Sequence, residues 1–421
     1  MTATDERKSR RLLIAIASGA FLGGALGWYA PSVAVELGLL GDLWLRALRM
    51  LVVPLIVLSM VHGVASLGDM RRLGRLGGST IAYYLCTSAV AAAIGLGLVR
   101  FFRPGDGVDI GGAASPELSE VGTGFADMVR SLVHPNLIEA AAETKILPLI
   151  LFSLAFGITV TTLGERGERI ARGAHDLLEV IMRMVHGVMW LAPVGVFGLV
   201  AGRFGDAGGG DAVVALFTGL ASFAGVVLLG LVMHAAILAG ALSVLARRLP
   251  HRYASKLGTA LTTAFATASS AATLPVTMNG THEAGVDERA SRFVLPLGAT
   301  VNMDGSALYE AVAALFIAQA WSIELGLSAQ LLIVLTAVLS SIGAAGIPEA
   351  GLVTMVIVLQ AVGLPLEGLG LLLAIDWLLD RFRTTVNVWG DAVGAAILDR
   401  QLDLPDRETG SDTALESPAT A

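Results

Sequence analysis

A chain of 421 residues that is 55% hydrophobic and only 15% charged, with a mean hydropathy of +0.73 and 50 glycines, is far more apolar than a soluble domain, in which about 25% of residues are charged. It reads as an all-α polytopic membrane protein. The net charge of -7 says little about function, since several of the acids sit in the tail LPDRETGSDTALESPATA, whose polar composition is that of a disordered segment, and nothing in the chain resembles a basic nucleic-acid surface.

Along the chain, MTATDERKSRR leads into LLIAIASGAFLGGALGWYA, long enough to cross a bilayer. With so many apolar segments after it, this stretch reads as a retained first helix rather than a cleaved leader. Segments near residues 12–30, 43–66, 78–100, 145–163, 178–201 and 213–245 predict six ordinary spans. The connections RKSRR, DMRRLGRLG, GERGERIARG and ARRLPHRYASK are basic, whereas GDAGGGDA is not. The positive-inside rule therefore places the basic ones in the cytoplasm. Residues 102–140 form a longer outside loop with an amphipathic, interfacial piece, FADMVRSLVHPNLIEAA. A single cysteine, Cys86, excludes an intrachain disulfide and reads as a small packed side chain.

After residue 250 the apolar segments are interrupted by Ser, Gly, Pro and Asn, which membranes tolerate only where protein or a water cavity covers the backbone. Two interrupted units repeat: SSAATLP at 269–275 precedes NMDG at 302–305, and SSIGAAGIP at 340–348 precedes NVWGD at 387–391. Each is a Ser-Ser and Pro bend followed by a helix bearing Asn and Asp. Entering from opposite sides, the units would be inverted copies, an arrangement that places substrate and ion sites at the midplane of secondary transporters.

The stretch AIDWLLDRFRTTVNVWGD carries five ionisable groups where lipid is expected, each costing about 2.5–3.5 kcal/mol on insertion scales. At helical spacing Asp376, Asp380, Arg383, Thr384, Asn387 and Asp391 share one stripe, predicted to face inward. Arg383 offers a rigid fork for a carboxylate, and Asp380, one turn away, an acceptor for an ammonium group. An ion pair closed on itself would explain these two residues. It would not explain Asn387, Asp391, Asn302 and Asp304, hard oxygen ligands that suit a small cation. Sodium is the physiological candidate. Tyr84, Thr87 and Ser88 share a face of the third span, where hydroxyls are most often satisfied by their own backbone. Glu310 is a lone carboxylate within a span, a candidate proton carrier because burial favours its neutral form, with a structural hydrogen bond as the alternative. His62, His186 and His234 lack metal-ligand spacing and read as packed or interfacial.

The segments YYLCTSA, SSAATLPVTM, LGATVNMDGSALYEAVAALFIAQ, SSIGAAGIPEAGLVTMVIVL and AIDWLLDRFRTTVNVWGDAVGAAIL resemble the glutamate transporter family of dicarboxylate/amino acid:cation symporters. The resemblance implies eight transmembrane helices plus two re-entrant hairpins, a homotrimer and elevator-type movement. It implies a cytoplasmic N-terminal tail at 1–11, scaffold helices at 12–76 and 102–211, transport-domain segments at 77–101 and 212–400, and a C-terminal tail at 401–421. It places the chain as a multi-pass protein of the cytoplasmic membrane with both termini inside. Implied substrate contacts are Ser270, Ser306, Ile347, Gly351, Asp380, Arg383, Thr384 and Asn387. Sodium ions, the coupling ions in a protein without other cofactors, would be held by three groups. One is Gly298, Asn302, Asn387 and Asp391; another is Tyr84, Thr87, Ser88, Asn302 and Asp304; the third is the backbone oxygens of Thr300 and of the Ser341 to Ala344 segment, with Ser341, Ile342 and Ala344. Glu310 and Arg381 match the animal branch, in which proton symport and potassium counter-transport accompany sodium; archaeal members carry the arginine in the first hairpin, where this chain has Ala268. SSAA in that hairpin, Ser306 in place of a threonine, and Glu349 at the second tip depart from the family pattern.

The resemblance thus implies sodium-coupled import of L-aspartate or L-glutamate. A neutral amino acid or C4-dicarboxylate symporter is the alternative within the fold: the first would be expected to lack Arg383, the second the DRFRTTVN pattern. A passive channel of the same fold is a further alternative. An intramembrane protease would need a zinc motif, a serine elbow or a GxGD aspartate, and VWGD lacks the first glycine.

Overall fold

The computed structural model describes residues 3–66, 70–108, 133–143, 145–206, 211–343 and 350–401. Among the described residues there is no strand. The helices are α1 (Ala3–Tyr29), α2 (Pro31–Ser66), α3 (Met70–Phe102), α4 (Leu137–Ala142), α5 (Ile146–Thr161), α6 (Glu165–Met189), α7 (Ala192–Asp206), α8 (Asp211–Leu245), α9 (Pro250–Lys256), α10 (Gly258–Thr267), α11 (Ser270–Glu283), α12 (Glu288–Val301), α13 (Asp304–Ala320), α14 (Leu327–Gly343), α15 (Ala350–Ala361) and α16 (Leu369–Gln401). Residues 76–102 of α3 and 217–245 of α8 are long and apolar enough to cross a membrane.

The helices fall into two packed groups. In the first, α1 and α2 lie against α7, and α2 also lies against α5 and α6. Small residues permit the approach: a Cβ on Gly23 would come within 2.5 Å of the Phe197 carbonyl oxygen, and one on Gly41 within 2.5 Å of the Leu199 amide. In the second group α13 is buried along nearly its whole length, as expected of a helix apolar on all sides. It is flanked by α3, α8, α14, α15 and α16. The C-terminal half of α16 enters a second apolar cluster with α3, α8, α9, α10 and α12.

Several local expectations need correction. The 178–201 segment is not one span: the chain turns at Trp190 and Leu191 between α6 and α7. DMRRLGRLG and GERGERIARG are mostly helical, forming the first turns of α3 and α6, because charged residues can occupy the exposed side of a helix end. Pro275 lies inside α11 and does not make the first bend. That turn is made by Ala268, held left-handed at φ 49°, and by Ser269, whose Oγ accepts from the Ala272 amide at 3.2 Å. Cys86 is exposed, not packed. The second bend, with Glu349, and the 402–421 tail lie outside the described residues, as do 109–132 of the outside loop.

Gly41→Ala is expected to destabilise the chain by about 1–3 kcal/mol, since the methyl meets backbone that cannot give way. Gly225→Ala in α8, where a Cβ meets nothing within 4 Å, should be neutral. Thermal melting of both variants in detergent checks the contrast.

Candidate functional site

The helix break at Asn302 and Met303 organises the site. Met303 offers α13 no side-chain cap, and the cap comes from another helix: the Gly305 amide donates to Asn387 Oδ1 of α16 at 2.7 Å. This satisfies one of the donors that a helix start leaves free. Asn387 Nδ2 lies 3.2 Å from Met303 Sδ. One turn further along α16, Asp391 Oδ1 accepts from Asn302 Nδ2 at 2.9 Å.

The stripe on α16 does face inward: Asp376, Asp380, Arg383, Thr384, Asn387 and Asp391 are all buried. Arg383, 0% exposed, donates from Nη2 to Asp380 Oδ1 at 2.9 Å, and the same nitrogen lies 3.0 Å from Asp376 Oδ1. Its guanidinium carbon sits 3.9 Å from the centre of the Tyr309 ring, within cation–π range. The ion pair within α16 therefore exists, but it leaves Nε and Nη1 without a hydrogen-bond partner. A buried donor in that condition costs about 1–3 kcal/mol, and more when charged, so the guanidinium is suited to receive another acceptor. Gly351 closes one side: a Cβ there would lie 2.9 Å from Nη1. Ser270, Ser306 and Thr384 are buried, the first two on helices that pack against α16. Ile347 and Ala344 lie outside the described residues.

Oxygen atoms gather beside the break. Ser88 Oγ donates to Asp304 Oδ1 at 2.9 Å. Thr87 Oγ1 is 3.3 Å from Asn302 Oδ1, yet also 3.0 Å from the Tyr83 carbonyl. One hydroxyl proton cannot serve both, and with it directed at the carbonyl, two oxygens face each other with lone pairs toward a common point. That arrangement suits a hard cation. The Tyr84 hydroxyl donates to the Val294 carbonyl at 2.6 Å. A Cβ on Gly298 would lie 2.8 Å from that hydroxyl and 2.6 Å from Asp391 Cγ, so only glycine lets Tyr84, Asp391 and α12 converge. In the third set, whose backbone oxygens are the expected ligands, the Thr300 and Ser341 hydroxyls bond the Leu297 and Val338 carbonyls of their own helices, and the Ile342 carbonyl lies toward Gly63 of α2.

Glu310 is fully buried; Oε2 is 2.6 Å from Ser340 Oγ and Oε1 has no partner. Ser340 Oγ is also 3.0 Å from the Ala337 carbonyl. The hydroxyl can thus donate to an ionised Glu310, or donate to the carbonyl while accepting from a protonated one. Arg381, on the same helix as the stripe, donates from Nη1 to the Phe265 and Ala266 carbonyls at 2.9 and 2.7 Å, reaching the first hairpin beside Ala268.

Sequence reasoning missed three residues. Asp376 was visible on the stripe but not as a partner of Arg383. Tyr309 gave no signal beyond its place next to Glu310. His234, read as packed or interfacial, lies 3.0 Å through Nε2 from Asp304 Oδ2.

An all-helical multi-pass protein with a partly unpaired guanidinium and clustered oxygens in its interior has the make-up of a membrane transporter. The chain belongs to the sodium:dicarboxylate symporter family, whose sequence model matches residues 11–401. It is 36% identical to human excitatory amino acid transporter 3, over 90% of this chain and 82% of the relative. It is 37% identical to human neutral amino acid transporter A, over 93% and 82%, and 38% identical to human neutral amino acid transporter B(0), over 93% and 79%. The relatives thus include transporters named for excitatory and for neutral amino acids.

Gly351→Ala should push the guanidinium away from its unpaired-donor position. Half-saturation for the transported substrate is expected to rise about tenfold, equivalent to about 1.4 kcal/mol, with thermal stability unchanged. Saturation curves and melting of the same preparation check it.

Proposed function

We propose that the chain is a secondary active transporter that imports L-aspartate or L-glutamate by sodium symport. The observation that carries the acidic over the neutral reading is Arg383, buried with Nε and Nη1 unpaired. A side-chain carboxylate can accept from both donors and neutralise the guanidinium, whereas an apolar side chain accepts from neither and a neutral amide or hydroxyl leaves the charge unpaired. Asp380 receives the substrate ammonium group, and Ser270, Ser306, Ile347, Gly351, Thr384 and Asn387 complete the pocket. Sodium is held by Tyr84, Thr87, Ser88, Asn302 and Asp304, by Gly298, Asn302, Asn387 and Asp391, and by Thr300 with Ser341, Ile342 and Ala344. The group of α1, α2, α5, α6 and α7 acts as the scaffold of a homotrimer, and the group built on α13 and α16 moves against it as the elevator. Thr87 Oγ1 and Asn302 Oδ1 lie 3.3 Å apart, and when the hydroxyl proton turns to the Tyr83 carbonyl both oxygens are open to a cation, which supports the cation reading.

Uptake of labelled aspartate and glutamate into proteoliposomes tests this. A sodium gradient is expected to drive accumulation above equilibrium; equal uptake with choline in place of sodium would refute it. Arg383→Cys should lose at least tenfold in apparent affinity for the acidic substrate, since unpairing a buried charge costs roughly 2–5 kcal/mol, and should gain uptake of neutral amino acids.

Proton coupling rests on Glu310, whose serine partner serves either protonation state. Glu310→Gln mimics the protonated form. Exchange should survive, net uptake should lose its pH dependence, and potassium-driven return should fail. Wild-type net uptake and pH response in this variant would assign Glu310 a structural role.

A further inference from the structure

His234 sits in the apolar run GLVMHAAIL of α8, is 0% exposed, and reaches Asp304 Oδ2 with Nε2 at 3.0 Å. The opposite oxygen, Oδ1, accepts from Ser88 Oγ at 2.9 Å. The carboxylate is therefore gripped from two helices, α3 and α8, while its own backbone opens α13. Gly390 of α16 leaves room for Oδ2: a Cβ there would lie 3.0 Å from it. Nε2 is placed to donate to this oxygen, and Nδ1 has no partner.

We propose that His234 is a positioning residue for a cation site: by bonding Oδ2 it fixes the rotamer of Asp304, so that Oδ1 stays on Ser88 beside the helix break. The inference rests on the reading of Asp304 as a sodium ligand. The chemistry explains the choice of side chain. A lysine or arginine at this depth would bring a permanent charge on a long, flexible stem, whereas the short planar imidazole holds one carboxylate oxygen in one direction. Partners that orient metal ligands are commonly worth a 10–100-fold change in affinity.

The test uses the purified full chain and sodium alone, with no transported substrate. Sodium at concentration c that binds only the folded state stabilises it by RT ln(1 + c/Kd), so melting is followed in rising NaCl against equal choline chloride and the apparent sodium Kd is fitted. His234→Leu should raise that apparent Kd at least fivefold. His234→Gln, whose Nε2 can stand where the imidazole nitrogen stands, should restore it to within twofold, an outcome that loss of packing alone would not give. In an Asp304→Ala background, adding His234→Leu should produce no further shift, because the histidine then has nothing to position. If His234→Leu does not fold, His234→Met removes the same donor while keeping the bulk.

The outcomes separate cleanly. A normal sodium response in Asp304→Ala overturns the sodium reading and this inference with it. An altered response in Asp304→Ala together with a normal one in His234→Leu leaves the sodium reading standing and overturns the inference alone. A shift in His234→Leu that Gln does not restore, or that persists in the Asp304→Ala background, overturns it as well.

Discussion

The interior depends on one repair. The chain breaks helical hydrogen bonding at Asn302 and Met303, in the middle of a protein whose surroundings cannot supply water to free backbone groups. Asn387 and Asp391 of α16 make good part of that loss, the first by accepting from the Gly305 amide and the second from the Asn302 side chain. Because the repair comes from α16, it fixes that helix against α12 and α13 in both position and rotation. Arg383, one turn before Asn387, and Asp304, the first residue of α13, are thereby set relative to each other. Under the proposed function this is the physical basis of coupling: the residues that would hold substrate and those that would hold cations are joined through the same two asparagines.

Charge explains why cations should enter with an anionic substrate. Among the described residues four buried aspartates, Asp304, Asp376, Asp380 and Asp391, and the buried Glu310 share the interior with a single buried arginine, Arg383. Adding an amino acid with two carboxylates to such an interior is unfavourable unless positive charge accompanies it, since buried charge is tolerated only when paired. The oxygen clusters on either side of the break are where it would sit. Tyr309 contributes differently: its ring face holds the guanidinium without using any of its donors, which keeps Nε and Nη1 available.

The second helix group encloses this polar centre with side chains from several elements. Tyr83, Tyr253 and Trp389 each spend their polar atom on a backbone carbonyl across a helix boundary, at Gly390, Ala392 and Ala235, so aromatic bulk closes the C-terminal half of α16 without leaving unpaired donors. Asp399 does the same near the end of the helix, accepting from Arg248 and from the Asp287 amide. The polar stripe thus ends in a tightly bonded foot, and the part of α16 that carries Arg383 is held from both directions.

The sequence suggested a helix running through NMDG, which the structure breaks at Asn302 and Met303; what it determined by itself was the class of protein, the inward stripe on α16 and the pairing of Tyr84, Thr87 and Ser88 with one face of α3. These are properties of one helix or one short run, and helical period fixes them without reference to any neighbour. Only the tertiary structure decided which donors of Arg383 are free, that Tyr309 underlies it, that His234 grips Asp304 and that Cys86 is exposed. Asp304 meets Ser88 across 216 positions and His234 across 70, and no local pattern records a contact made between helices. The same reason accounts for the corrected bend at Ala268: a left-handed alanine costs local energy that composition argues against, and only the packing of α10 and α11 on α16 makes that turn the better choice.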